Sequence, residues 1–187
     1  MPRIAPRPIE SLAPEHRAAL ESAVARGRVN DPRVILMTAH SDRALAQVMA
    51  ALPNFPHMGN DASFGADLCE MLRLKSAQLG GCDSCQSARY NDNSEELACA
   101  ILNPESLGKR EQLALRLLTM MHTDHHAIDR AFFTELAEVF TPGEIMELGN
   151  MVAGMVGQHR WIHALDLYSE EPPVCGDTRS EQVAAAN

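Results

Sequence analysis

The sequence predicts a single all-helical domain, on three observations. Ala, Leu, Glu and Met dominate residue choice along most of the chain, and these are among the strongest helix formers. Val, Ile and Thr nowhere alternate at period two, as a half-buried strand requires. At 187 residues the chain falls in the range of one domain and can bury a self-sufficient core without disulfide or metal staples. Six to eight helices are expected within residues 1–168, followed by a loose tail at 169–187 that is polar, Pro-containing and aperiodic.

Each element has its own signal. Pro14 and Glu15 open a helix that ends near Gly27, and Asp31-Pro32 supplies an N-cap and an N1 proline for a second that stops by Pro53. Asn54 to Asn60, with two prolines and a glycine, reads as a loop. A helix from Ala62 to Leu79 carries Leu68, Leu72 and Leu79 on one face; Gly80-Gly81 ends it, and the next begins near Cys82. Ser94, ahead of Glu95 and Glu96, caps a short helix. Leu107 to Met121 is amphipathic, and Ala127 to Phe140 follows in the same style. Thr141-Pro142-Gly143-Glu144 is a full capping box with an N1 proline, opening a helix that runs to about Tyr168.

Composition excludes several function classes. There are 25 acidic against 16 basic side chains, a formal charge of −9, and no Lys/Arg run exceeds two. That balance argues against a nucleic-acid binder, whose affinity rests on neutralising phosphates, and gives no support to a membrane-surface role. No segment nears the ~18 uninterrupted apolar residues of a membrane span, and the opening MPRIAPRPIE has no apolar signal core, so a cytoplasmic protein is expected. Five cysteines, at 69, 82, 85, 99 and 175, are too few and too uneven for a disulfide scaffold.

The short motif that carries chemistry is Cys82-Asp83-Ser84-Cys85. Residues three apart share a helical face, and a disulfide tolerates Cα separations of ~4.4–6.8 Å, so this pair can close or open with little backbone movement. Gly80-Gly81 places both sulfurs at the start of a new helix, where orphan N–H groups favour a thiolate. The bland alternative is two small buried residues in a helix. Zinc is the other use of a CxxC, with His122 and His126 as partners at helical spacing. The 36 intervening residues after Cys85 are far from finger spacing, and Asp124 caps a following helix and breaks the i, i+4 geometry, so no metal or other cofactor is expected and these histidines read as solvated turn residues. Met146, Met151 and Met155 read as a core stripe, and His159, Trp161 and His163 as facing a core or a subunit boundary.

Glu70, eleven residues, Cys-x-x-Cys, in the run LCEMLRLKSAQLGGCDSCQSARY, resembles the signature of the alkylhydroperoxidase D / carboxymuconolactone decarboxylase superfamily, which continues with three residues and a histidine. KREQLALRLLTMMHTD and FTELAEVFTPGEIMELGNMVAGMVGQHRWIHALDL are similar to that family's closing helices, so the resemblance covers about residues 34–168. It implies an all-helical homo-oligomer, commonly a trimer or hexamer, that reduces hydroperoxides through its dithiol and is re-reduced by a thioredoxin-like or dihydrolipoyl-type donor.

Carried over by residue, the resemblance makes Cys85 the peroxidatic thiolate, Cys82 the resolving thiol and Glu70 a member of the proton relay. The departure is Arg89, which stands where the family has histidine and cannot shuttle a proton. Mirror counting about Gly80-Gly81 puts Arg89 opposite position 72, and hence within reach of an ion pair with Glu70. Two other classes are weighed against the peroxidase: a carboxymuconolactone decarboxylase-like enzyme, whose branch does not depend on a CxxC, and a non-catalytic, redox-sensing helical oligomer.

Overall fold

A computed structural model of the chain describes residues 2–29, 31–54 and 62–167. The tail, Cys175 and most of the Asn54–Asn60 loop lie outside the described residues. Those described form nine α-helices and no strand: α1 (Pro14–Ala25), α2 (Arg33–Thr38), α3 (Asp42–Ala51), α4 (Ala66–Gly80), α5 (Asp83–Ser87), α6 (Ser94–Ala100), α7 (Lys109–Thr123), α8 (Arg130–Ala137) and α9 (Pro142–Ala164). The count exceeds the expected six to eight because the helix read up to Pro53 is two helices. Ser41 turns to extended φ/ψ and its hydroxyl accepts from Ala44 N–H, capping α3 and breaking it from α2. No helix among the described residues is long and apolar enough to cross a membrane.

Side-chain caps set the starts of three helices, α3, α8 and α9. Thr141 and Glu144 form the reciprocal capping box of α9, and Asp129 caps α8 through Phe132 N–H. Asp124 does cap, but what it opens is a 3-10 turn at His125–Ala127. Ser94 departs from expectation: it is the first residue of α6 rather than its cap, and its hydroxyl accepts from Asn91 N–H and donates into the protein, as described below.

Two cores result. The larger joins α4, α7 and α9, with Leu72, Leu118, Leu148, Val152 and Met155 at its centre, and is closed by α6 and α8. The smaller, under α1 to α3, gathers Leu12, Leu20, Ile35, Leu45 and Leu52. Met37 of α2 packs on Leu165 and Leu167 just beyond α9, and Arg3 N–H donates to Leu165 O at 2.9 Å, so the N-terminal layer is tied to the end of α9. A cavity of about 460 Å³ remains between the layers. Met146 does not belong to either core: it is 66% exposed, whereas Met151 and Met155 are buried as expected.

Candidate active site

The site is built around the end of α4. Gly81 is left-handed at φ 69°, its N–H bonds Gln78 O, and Cys82 N–H reaches back to Ala77 O at 3.0 Å. This is a Schellman closure, which turns the chain sharply and starts α5 one residue later. Gly80 serves a different need: a Cβ there would lie 2.7 Å from the His159 Cβ, so α4 and α9 touch through a residue without a side chain. The turn delivers Cys82 and Cys85 to one helical turn, where they are disulfide-bonded with Cα atoms 5.3 Å apart. Cys82 is 1% exposed, whereas Cys85 is half-buried and lines the cavity. Cys69 and Cys99 are free; burial pushes the Cys69 thiol up to about 12, with the Glu147 and Glu70 charges adding to it, which leaves it inert at neutral pH.

Glu70 is buried one turn into α4, and the structure corrects its expected partner. The pair is Glu70–Arg73: Arg73 Nε and Nη2 donate to the two carboxylate oxygens at 2.7 and 2.8 Å, and both side chains are under 5% exposed. Ser94 Oγ donates to Oε1 at 2.7 Å and Tyr90 N–H at 3.3 Å. Burial pushes the Glu70 carboxyl up, but the hydrogen bonds and charge of Arg73, with Ser94 and Tyr90, outweigh it and hold the group below its ordinary value. The rest of the guanidinium points at α5: Nη1 donates to Cys85 O, Nη2 to Ala88 O at 2.7 Å, and the Tyr90 ring lies 4.8 Å away. Arg73 thus fastens the carbonyl end of α5 to the carboxylate of α4.

Arg89 faces the other way. It pairs with Glu95 at 2.8 Å and donates to the carbonyls of Gln86 and Ala88, in a pair that is 32% and 77% exposed. Mirror counting assumed two helices folding back on each other; α5 has only five residues and does not extend far enough to form such a hairpin. Arg73 was missed, although the signal is present: an arginine three residues after a glutamate in the middle of an apolar helical face needs an internal partner.

One histidine reading also changes. His122 is buried, its Nε2 2.9 Å from Ser76 Oγ, whereas His126 is exposed. Burial, and then the Arg160 charge, push His122 down to about 4, so it stays neutral. His159 is core, as expected; Trp161, 59% exposed, and His163 lie on the surface of the single chain, where a subunit boundary would be. Among the described residues no cluster of three His, Cys, Asp or Glu is placed to hold a metal ion. The cavity is walled by Val34 and Ile35 of α2, Val48 and Ala51 of α3, and Ile162 of α9, and meets Arg73, Cys85 and Tyr90 at its floor. No protein-family model, no curated protein and no solved structure matches the chain.

Proposed function

We propose that the chain is a thiol-dependent peroxidase, a dithiol oxidoreductase that reduces hydroperoxides through Cys82 and Cys85. One observation carries this: the two cysteines are close enough to bond, and only Cys85 opens on a largely apolar cavity. A nucleophile has to be reached by its substrate, and a resolving thiol only by its partner. The Cys85 thiolate attacks the O–O bond, leaving a sulfenic acid and an alcohol. Cys82 then attacks the sulfenic sulfur and water leaves as the disulfide closes. An external dithiol, thioredoxin-like or dihydrolipoyl-type, attacks Cys85 to reopen it.

Glu70 enters this scheme as a positioning residue rather than a proton carrier. A carboxylate held ionised by Arg73, Ser94 and Tyr90 has no spare proton at neutral pH. With Arg73 it holds the Cys85 carbonyl and hence the helical turn that carries both sulfurs. Arg89 helps close the same helix at Gln86 and Ala88. The reading includes a homo-oligomer, as the family resemblance implies.

Peroxide consumption with a dithiol donor tests the reading. Cys85→Ser should abolish turnover. Reduced Cys82→Ser, freed of the donor, should consume one equivalent and stop with a trappable sulfenic acid. Turnover undiminished in Cys85→Ser would overturn the proposal.

A further inference from the structure

The motif histidine is replaced by Arg89, yet hydroperoxide cleavage still needs a group that takes the thiol proton and returns it to the departing oxygen. A buried chain of three side chains reaches the cavity from the other side. Ser76 of α4 is fully buried, and its Oγ lies 2.9 Å from His122 Nε2 of α7 and 2.9 Å from His159 Nδ1 of α9. His159 lines the cavity that Cys85 also lines. At the far end His122 Nδ1 is a buried polar atom without a hydrogen-bond partner.

A hydroxyl has one proton and sits here between two ring nitrogens, so one imidazole donates to it and the other accepts from it. When His159 Nδ1–H donates to Ser76, the hydroxyl donates to His122 and His159 Nε2 is a base. When His122 donates, the order reverses and Nε2 carries the proton. The chain therefore ties the tautomer of His159 to that of a histidine kept neutral by its surroundings. Gly80, against the His159 Cβ, fixes where that ring starts.

We propose that His159 is the proton-exchanging group of the Cys85 cavity, with Ser76 and His122 as positioning residues that set its tautomer. His159 takes the proton of the Cys85 thiol, directly or through one water, and becomes imidazolium. The thiolate attacks the hydroperoxide, and the imidazolium returns the proton to the leaving oxygen, giving sulfenic acid, alcohol and neutral histidine. Among the described residues, the charged and titratable groups near this chain include Arg160, whose guanidinium donates to His122 O, and Arg28, Asp31, Arg73 and Tyr90 on the cavity wall.

The inference rests on Cys85 being the reacting thiol, and its test separates the two. In a Cys99→Ser, Cys175→Ser background, the iodoacetamide reaction of reduced Cys85 is followed against pH for the parent, His159→Gln and Ser76→Ala, with helicity checked by circular dichroism. His159→Gln should raise the midpoint by about one unit, a roughly tenfold slower reaction below it, and slow peroxide reduction by about 10²-fold. Ser76→Ala should shift the midpoint in the same direction by less. In the unmodified chain, nitrogen NMR should show the His159 ring changing tautomer or charge between the dithiol and disulfide forms, a readout that needs no variant to fold. A folded His159→Gln protein with the parent's alkylation profile, or a His159 ring unchanged between the two redox forms, would overturn the inference. Peroxide turnover persisting in Cys85→Ser would instead remove the peroxidase reading and leave these two measurements to judge His159.

Discussion

Two arginine–carboxylate pairs contact the carbonyl end of α5 and differ in almost every respect. Glu70–Arg73 is under 5% exposed at both ends, bidentate, and completed by Ser94, Tyr90 and the carbonyls of Cys85 and Ala88. Arg89–Glu95 is 32% and 77% exposed and contacts only the rim of the same helix. Chemical identity is the same; solvent decides the outcome. Water offers an exposed ion nearly what its partner does, whereas a buried ion that loses its partner keeps the whole desolvation penalty.

The largest expected effect comes from breaking the buried pair. Arg73→Met leaves the Glu70 charge unpaired and frees two carbonyls, so chemical unfolding should show a loss of about 3–5 kcal/mol. The same variant should slow closure of the Cys82–Cys85 disulfide, read by mass spectrometry after a mild oxidant pulse. If Arg73→Met unfolds with the parent's midpoint, the pair is not what anchors α5.

Acid titration sharpens the contrast. Because folding lowers the Glu70 pKa below its ordinary value of 4.5, its contribution is fully present above that pH and is lost as pH falls through the lower folded value. Unfolding free energy measured between neutral pH and about 3 should fall more steeply in the parent than in Glu70→Gln. Equal slopes would show that other carboxylates carry the acid transition.

The smallest effect is expected at Arg89. Arg89→Ala or Glu95→Ala should cost no more than about 1 kcal/mol, an amount that moderate salt erases. Since Glu95 already answers its charge, Arg89→Ala should also leave the Cys85 alkylation profile nearly where it was. A large shift there would return Arg89 to the thiol's environment.

What could be read without the structure is what neighbours along the chain decide. The helical class, the capping box at Thr141, the stop at Gly80-Gly81 and the bonding distance of Cys82 and Cys85 all follow from spacings of one to four residues, where backbone geometry leaves few choices. Two local readings still failed: Ser94 became the first residue of α6, its hydroxyl donating to Glu70 and accepting from Asn91 N–H, and Ser41 capped Ala44 and cut a helix that periodicity alone would continue. The partner of Glu70, the chain from His122 through Ser76 to His159, and the exposure of Met146 and Trp161 were settled by which helices pack together. Sixteen basic side chains are available to one carboxylate, and spacing ranks only those on its own helix. Burial chooses among the rest, because a charge or hydroxyl taken out of water must find its partner wherever the tertiary fold has placed one.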